Sequence, residues 1–391
     1  MRSLMILIIT MNIFLSCTSN KKNDGKVVST DNKRENYFEF KWELDTTPVL
    51  TRSSGKTFDS NVVGDPCIVW DDQLETWRMF YFAGGFDENG KSGSRTGMAL
   101  SKSQEEIGPG DWYKIEPVRI SNKEDLLNDP GWHKWWIIMD AKNNNRAAKI
   151  KGKYWAVFTC RHTNTSGVGS NKHLQVASAE ELSGPWTVNP IPVVSPDENW
   201  IDGSHCDTPT AYWFEDRKEV IIFYKAYPKF SQDMQPKSPF GSGTVIASWH
   251  PDSVRATKIK VIQRPGQSGG WNQGWMSTPQ IFYDAKLDQW YGLINGSPTA
   301  PLDASHREPA PSLGGWVKCT PGKWVDADWG PDTLYSPFLY PENLSNIELE
   351  AGLGVNFWRH HLLETPGGKR RIFFNSGKYG TEQMYSLVNN K

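Results

Sequence analysis

The feature that most constrains the fold of this chain is an internal repeat of about 70 residues. Residues 65–71 align with residues 278–284, 213 positions later, and a Trp follows six positions after each segment. Residues 208–213 fit the same frame 70 positions before the second copy, and a weaker copy lies at residues 373–377. Residue 208 is 143 positions from residue 65, which is two units, and residues 149–158 supply the missing one. Five units account for the 355 residues from 37 to 391.

Each unit consists of segments with the pattern of β-strands. An apolar strand, a polar turn and a second, aromatic strand are followed by a third strand, for example at residues 96–101, 174–178 and 243–249. Helical periodicity is scarce. Strand-rich units that cannot bury both of their faces alone are typical of a β-propeller, whereas the repeats of a β-solenoid are much shorter. The sequence therefore predicts an all-β fold, a five-bladed β-propeller with four-stranded antiparallel blades over residues 37–391.

The charge and the aromatic content exclude two classes of protein. The chain has 43 Lys and Arg against 44 Asp and Glu, a formal charge of −1, so nucleic acid is not expected as a partner. It also has 19 Trp, 17 Phe and 13 Tyr, which excludes a disordered chain. Most of the Trp side chains are expected to pack between blades.

The N-terminus has the pattern of an export signal. A charged start precedes the apolar residues 4–15, a run too short to span a membrane, and residues 14–17 resemble a bacterial lipobox that ends at Cys17. We expect a signal peptide over residues 1–17, lipidation of Cys17, and a polar tether over residues 18–36. The alternative is a buried N-terminal strand. The expected location is the periplasm or the outer membrane, with the lipid anchor as the only membrane contact. The other four Cys residues are too widely spaced for a zinc ribbon or a disulfide scaffold.

Three carboxylates lie near the expected starts of blades. Asp65 directly precedes Pro66, Asp207 lies two positions before Pro209, and Asp140 follows an apolar run. A propeller brings the starts of its innermost strands together around one end of its channel. Several carboxylates around one funnel suit glycoside hydrolysis, which needs a protonated acid and an ionised partner. The alternative for each is a structural Asp that accepts backbone N–H groups.

The repeat and these short motifs resemble the five-bladed propeller glycoside hydrolases, the superfamily of families 43, 32, 62, 68 and 117. The family 43 pattern implies that Asp65 is the general base, that Asp140 tunes the acid and that Asp207 is the general acid. Residues 182–186 resemble an element common at the blade ends of these enzymes.

The acid position departs from the family pattern, because Asp207 stands where family 43 has Glu. The shorter side chain would move the proton donor by about an ångström, which is a serious change in acid–base geometry. Either the substrate lies closer, or the donor is another group such as His205, Glu350 or Glu382, or the centre is no longer hydrolytic. The chain therefore resembles a divergent member of the superfamily.

Residues just before the first strands are expected to reach the rim of the funnel, where a sugar would bind. Pyranose rings stack on flat aromatic side chains, and Arg359 could pair with the carboxylate or sulfate of an acidic sugar. Packing between blades, a structural imidazole and an ion pair are the alternatives. No metal or cofactor is expected, although a structural cation such as calcium in the channel is compatible with the His residues. The expected substrate-binding residues are Trp135, Trp136, His205, Trp275, Arg359 and His360.

The leading hypothesis is thus an exported glycoside hydrolase acting on poly- or oligosaccharides. Carboxyl groups of Asp65 and Asp207 about 6.5–9.5 Å apart would favour inversion, and about 5–5.5 Å retention. The second hypothesis is a non-catalytic glycan-binding lipoprotein, whose acids would be paired with Arg or Lys. A third class, a glycoside phosphorylase or a lyase, is kept open by the pairs Arg161-His162 and Arg359-His360, since a phosphorylase needs cations for phosphate.

Lipidation gives a direct test of the N-terminal prediction. In an expressing bacterium fed a labelled fatty acid, Cys17→Ser should abolish labelling, because its hydroxyl cannot form the thioether that carries the lipid. Gel fluorography measures the label, and Cys67→Ser serves as the control that should keep it. Label that persists in Cys17→Ser would place the lipid elsewhere.

Overall fold

β-Strands are the only regular secondary structure in the part of the chain that the structure describes. The structure is a computed structural model, and it describes residues 42–87, 89–122, 133–161, 172–197, 199–227, 243–264, 271–272, 275–297, 313–331, 357–377 and 380–389. No helix long and apolar enough to cross a membrane occurs in these ranges. The all-β prediction is confirmed for them. The predicted signal peptide, Cys17, the tether and Glu350 lie outside the described residues.

The described chain contains 24 strands. In order they are β1 (Trp42–Leu44), β2 (Val62–Asp71), β3 (Thr76–Phe86), β4 (Ser92–Ser101), β5 (Trp112–Ile115), β6 (His133–Ile137), β7 (Met139–Asp140), β8 (Asn143–Ala147), β9 (Lys149–Ile150), β10 (Lys153–Arg161), β11 (Lys172–Ala179), β12 (Thr187–Val188), β13 (His205–Phe214), β14 (Glu219–Tyr227), β15 (Gly243–Trp249), β16 (Thr257–Gln263), β17 (Trp275–Met276), β18 (Gln280–Asp284), β19 (Gln289–Ser297), β20 (Leu313–Cys319), β21 (Trp329–Pro331), β22 (Trp358–Glu364), β23 (Arg370–Ser376) and β24 (Gln383–Asn389).

Most of these strands pair in antiparallel series of sequential strands. The series are β2-β3-β4-β5, β6-β10-β11-β12, β13-β14-β15-β16, β18-β19-β20-β21 and β22-β23-β24-β1. In the last series β1 pairs with β24, so the first described strand completes a sheet made by the last three. The short β7 and β8 join two series, because β7 pairs in parallel with β13 and β8 with β2.

A β-bulge interrupts the first strand of four series at equivalent positions. In each case the first strand has one residue more than its partner strand, and the ladder shifts register there. A non-glycine residue with positive φ lies at each bulge: Asp65 (48°), Lys134 (56°), Thr208 (55°) and Arg359 (24°). This conformation costs on the order of 1–3 kcal/mol, so the surrounding sheet must hold it. The bulges thus re-aim the side chains at the starts of these strands.

Aromatic side chains pack between neighbouring series. Trp186 of the second series contacts Phe80 of the first, with ring centroids 6.2 Å apart. Trp155 and Trp249 are 5.3 Å apart across the next boundary. Trp112 contacts Phe373 at 5.7 Å, which joins the first series to the last. Many of the Trp side chains therefore pack between sheets, where aromatic rings bury large areas.

A buried polar network recurs in two series at the repeat spacing. Asp59 is fully buried and accepts hydrogen bonds from the Tyr81 hydroxyl at 3.1 Å and the Lys114 ammonium at 2.5 Å. Asp202, 143 positions later, accepts from Tyr224 at 2.7 Å and pairs with Lys258 at 2.6 Å. Each network fixes the segment before a first strand to the second and fourth strands of the same series.

Gly97 allows close packing of the first network. It lies opposite Tyr81 in the β3–β4 ladder, and a Cβ at Gly97 would lie 2.2 Å from the Tyr81 ring. Because Asp59 holds the Tyr81 hydroxyl, Gly97→Ala should lower the free energy of unfolding by about 1–3 kcal/mol. Urea unfolding measures the change. Gly330→Ala is the matched control in a strand, since its Cβ would meet nothing within 4 Å; equal losses in the two variants would contradict the packing argument.

Candidate functional site

The starts of the first strands bring titratable side chains together at one end of the sheets. In antiparallel series, the start of the first strand, the end of the second and the start of the third share an end. Asp207 near the start of β13 accordingly pairs in register with Lys225 near the end of β14, and Lys172 begins β11. Asp65 and Arg359 lie at the starts of β2 and β22. Together these residues form a mixed cluster of carboxylates and cations.

Asp207 is the most heavily bonded carboxylate in the cluster. Its Oδ2 accepts hydrogen bonds from the Lys134 ammonium at 2.9 Å and the Lys172 ammonium at 2.6 Å. Its Oδ1 accepts from the Thr159 hydroxyl at 3.0 Å and from the Thr208 backbone N–H at 2.8 Å. Four donors use the normal acceptor capacity of a carboxylate. The side chain is 1 % exposed, so it is both saturated and shielded from solvent.

The two lysines keep Asp207 ionised. Burial alone would raise the pKa of Asp207, but the Lys134 and Lys172 ammonium groups and nearby His133 hold it well below its usual value of 3.8. A carboxylate in this state does not release a proton at neutral pH. The geometry therefore does not fit the general-acid role expected for Asp207.

Asp65 lies in a less saturated environment. It is buried, and its backbone N–H donates to the Asn375 Oδ1 at 3.3 Å. Burial raises the pKa of Asp65 above 3.8 and the Asp207 charge raises it too, although Lys134, Arg359 and Lys172 act in the opposite direction. Asp65 therefore shares one electrostatic environment with Asp207.

Glu382, which immediately precedes β24, is a second carboxyl group beside Asp65. Its backbone carbonyl accepts from the Val63 N–H at 3.0 Å, which places it against the start of β2. Its Oε2 accepts from the Gly380 N–H at 2.8 Å. Burial raises the pKa of Glu382 to about 7, and the Asp65 carboxyl adds to this rise against hydrogen bonds from backbone N–H groups. Glu382 is thus partly protonated near neutral pH.

Two further cations complete the cluster. Burial lowers the pKa of Lys225 to about 7, and the charges of Lys134 and Lys172 lower it further while Asp207 opposes them. The Arg359 guanidinium is buried; its Nη2 donates to the Pro209 carbonyl at 2.6 Å. The guanidinium also lies 5.6 Å from the centre of the Trp136 ring.

Asp140 is not part of the cluster. It pairs in register with Trp213, six residues along β13 from Asp207, which is a separation of about 20 Å. Its Oδ1 accepts the Lys142 backbone N–H at 2.8 Å in an exposed turn. The expected role of tuning the acid does not fit this position. The second blade start was expected at Asp140, whereas the equivalent first strand is β6 and begins at His133.

Two of the expected sugar-binding Trp residues belong to the core. Trp135 is 2 % exposed and stacks on Phe158 with centroids 4.5 Å apart. Trp136 is fully buried, and its indole N–H donates to the Ala211 carbonyl at 3.2 Å. Neither ring has a face available to a sugar, because inter-strand packing covers both.

The remaining expected residues have different outcomes. His360 is buried, and its Nε2 contacts the Leu293 carbonyl at 2.5 Å. Burial lowers the pKa of His360 to about 3. It is therefore a core residue and not a substrate ligand. His205 is partly exposed beside Ser204 and stays a candidate. The side chains of Trp275 and Arg161, and all of His162, lie outside the described residues.

The lysines of the cluster were not among the residues expected from the sequence. Lys134 lies 69 positions after Asp65, so the 70-residue frame itself could have identified it as the equivalent residue of the second unit. Lys172 and Lys225 become neighbours of Asp207 only through strand register, which the sequence alone did not supply.

Two other features bear on what the site could hold. Among the described residues there is no group of three or more His, Cys, Asp or Glu side chains placed to bind a metal ion. A depression of about 570 Å³ is lined by residues 193–197, Asn199, Arg255, Ala256 and Lys258, and none of the cluster residues contributes to it.

Comparisons with known structures agree with the fold resemblance. No family model matches the sequence, and no curated protein does. A solved structure named only as a glycoside hydrolase is 13 % identical with a TM-score of 0.62, covering 93 % of this chain and 96 % of the other. A structure from a study of glycoside hydrolases in the GH130 family of mannoside phosphorylases is 14 % identical, with a TM-score of 0.56 and coverages of 91 % and 95 %.

A third neighbour is the catalytic domain of a Coprinopsis cinerea GH62 α-L-arabinofuranosidase. It is 11 % identical with a TM-score of 0.55, covering 90 % of this chain and 97 % of the other. The chain therefore shares its fold with solved structures of glycoside hydrolases, at sequence identities of 11–14 %.

The ion pairs of Asp207 should make a pH-dependent contribution to stability. Asp207→Asn leaves two ammonium groups without their counter-ion and should lower the free energy of unfolding at pH 7 by about 2–3 kcal/mol. This loss is smaller than for a fully buried ion pair, because both lysines are partly exposed to solvent. Because the folded pKa of Asp207 is depressed, this contribution is present above pH 3.8 and is lost as pH falls through the folded value.

Denaturant titrations at pH 7 and at acidic pH measure this difference. Asp140→Asn is the control, since the amide oxygen can still accept the Lys142 N–H and little change is expected. A stability loss in Asp207→Asn that stays constant down to the lowest pH would contradict the ionised state.

Proposed function

We propose that this protein is an exported glycoside hydrolase whose reaction takes place at the cluster around Asp65. The fold shared with glycoside hydrolases supports a role on glycans. The catalytic role is supported by one observation, the neighbouring carboxyl groups of Asp65 and Glu382. The pKa of Glu382 is raised to about 7, and the charge of Asp65 contributes to this rise. Two carboxyl groups with different protonation states are what glycoside hydrolysis requires.

The architecture that we propose is a closed five-bladed propeller. Each antiparallel series would be one four-stranded blade, with its first strand lining the channel. The pairing of β1 with β24 would close the ring, because the first part of the domain then completes the last blade. The funnel at the starts of the first strands would hold the substrate.

In the proposed reaction Glu382 replaces Asp207 as the general acid. Glu382 donates its proton to the glycosidic oxygen as the bond to the anomeric carbon breaks, so the leaving sugar departs as an alcohol. Asp65 either accepts a proton from the water that attacks the anomeric carbon, or attacks that carbon itself. In the second case water then cleaves the resulting ester, Asp65 leaves as a carboxylate, and the ionised Glu382 takes up the proton of the water. Water supplies the hydroxyl group of the product in both cases, and no cofactor takes part in these steps.

A non-catalytic glycan-binding protein is the second candidate. A specific observation favours it: Asp207, which occupies the family 43 acid position, is paired with Lys134 and Lys172. That pairing matches the expectation for a binding pocket without an acid. The two candidates differ in what Asp65 and Glu382 do, which mutation can determine.

The location belongs to the proposal as well. We propose that the mature chain begins at lipidated Cys17 and that residues 18–36 tether the domain to the membrane. A glycan outside the cytoplasm would be the partner in either candidate function.

Mutation of the two carboxyls should separate the candidates. Wild-type protein, Glu382→Gln and Asp65→Asn are incubated with a panel of plant and algal oligosaccharides, and products are measured by chromatography. The proposal predicts hydrolysis by the wild type and losses of about 10²–10⁴-fold in each variant. The Gln side chain keeps an acceptor for the Gly380 N–H, so Glu382→Gln should fold normally.

Asp140→Asn is the matched control for this experiment, because Asp140 is also a blade-associated Asp but lies far from the cluster. It should keep full activity. Binding of a glycan by all variants with no product from any of them would favour the second candidate. Full activity in Glu382→Gln would remove Glu382 from the acid role.

The pH profile tests the protonation states. The acid must be protonated, so kcat/KM should fall as pH rises through about 7, the raised pKa of Glu382. The base must be ionised, so activity should also fall below the raised pKa of Asp65, which lies above 3.8. The residual activity of Glu382→Gln should lack the alkaline limb. An unchanged alkaline limb in that variant would assign it to another group.

A further inference from the structure

Among the described residues of the cluster, four cations accompany three carboxyl groups. Lys134, Lys172, Lys225 and Arg359 interact with Asp207, and Lys134, Lys172 and Arg359 also with Asp65. A further carboxyl group, Glu382, interacts with Asp65 and is partly protonated near pH 7. A neutral sugar needs hydrogen-bond partners, but it gives no reason to gather four cations at one place.

The lysines lie between Asp207 and solvent. The Lys134 and Lys172 side chains are 21 % and 17 % exposed, whereas Asp207 beneath them is 1 % exposed. Lys134 donates to Asp207 and to the Thr208 hydroxyl at 3.0 Å. An ammonium group has three N–H donors, so Lys134 retains one for a group arriving from solvent. A ligand would therefore meet ammonium groups that Asp207 already holds in place.

Arg359 gives a second, independent indication of an anion site. The residue is buried, with 6 % of its surface exposed. Its Nη2 has an acceptor, but Nη1 is buried and finds no hydrogen-bond partner among the described residues. A buried guanidinium N–H without an acceptor costs free energy that an anionic or polar ligand could recover. Arg359 lies at the β22 bulge with a φ of 24°, a strained backbone conformation that the surrounding sheet must hold.

The state of Lys225 agrees with an excess of positive charge. Its pKa is lowered to about 7, first by burial and then by the Lys134 and Lys172 charges. Burial is the largest cause of this lowering, and the two ammonium charges add to it. An added negative charge would reverse it.

We infer that Lys134, Lys172, Lys225 and Arg359 form a subsite for an oxyanion carried by the glycan, either a uronate carboxylate or a sulfate ester. The inference rests on the proposed action on glycans, and it specifies an acidic polysaccharide as the substrate class. Asp207 serves this subsite by orienting two of its ammonium groups and not by touching the substrate.

Binding to matched pairs of glycans tests the inference. The Glu382→Gln variant, in which turnover is expected to be slow, is titrated calorimetrically at low salt. The ligands are oligogalacturonates and their methyl esters, and sulfated galactan oligosaccharides and their desulfated forms. One of the two acidic forms should bind at least ~10-fold more tightly than its neutral partner, and added salt should weaken it. Inorganic phosphate and sulfate are titrated separately.

Substitution of the lysines should remove this preference. With Lys172→Gln or Lys225→Gln added, the acidic and neutral forms should bind within about 2-fold of each other. Lys142→Gln is the matched control: Lys142 is an exposed lysine paired with Asp216, and the preference should persist. Thermal unfolding checks the fold of each variant. If Lys172→Gln is unfolded, Lys225→Gln still tests the subsite, because it leaves both ammonium partners of Asp207 in place.

The outcomes also separate this inference from the proposed function. Tighter binding of an acidic form, without cleavage by the wild type, would support the subsite and overturn the hydrolase. Cleavage of neutral glycans with no preference for acidic forms would overturn the subsite and leave the hydrolase. Absence of binding by every acidic form, or binding of inorganic phosphate alone, would also overturn the subsite.

Discussion

The β-bulge near the start of the first strands is the constraint on which the site depends. A regular strand alternates its side chains between two faces, so the side chains of consecutive residues cannot point to the same face. One extra residue with positive φ breaks this alternation at Asp65, Lys134, Thr208 and Arg359. Each of these residues is in the cluster or next to a cluster member. The same interruption recurs in four series, so the strained residues contribute to one shared site. The paired strands around each bulge hold the strained backbone.

Much of the fold was predictable because it follows from repetition. The 70-residue frame located the first strands around Asp65, Thr208 and Thr278, and the third strands predicted near residues 96–101 and 243–249 lie in β4 and β15. The second unit was harder, because its first strand is short and is followed by β7 and β8, which pair outside their own series. An apolar run ending at Asp140 was therefore mistaken for a blade start.

The site was less predictable, because it depends on contacts across strands. Asp65 and Asp207 do share one environment, as expected. However, the presence of a Trp in the sequence does not show whether its ring binds a sugar or packs in the core. Trp135 and Trp136 both lie in the core. The net charge of −1 describes the whole chain and does not show where its charges lie. Lys225 and Asp207, for example, become neighbours only through the register of β13 and β14.

The length of the side chain at position 207 decides where its carboxyl group lies. The Asp207 carboxylate reaches the N–H of the next residue, Thr208, at 2.8 Å, which requires a short side chain folded against its own backbone. The same short reach keeps it below Lys134 and Lys172, where it stays ionised. A Glu at this position would extend its carboxyl group between the two ammonium groups toward solvent, where it could meet a substrate. The Asp instead holds the two ammonium groups, and in the proposed function proton donation falls to Glu382, a group with a raised pKa beside Asp65.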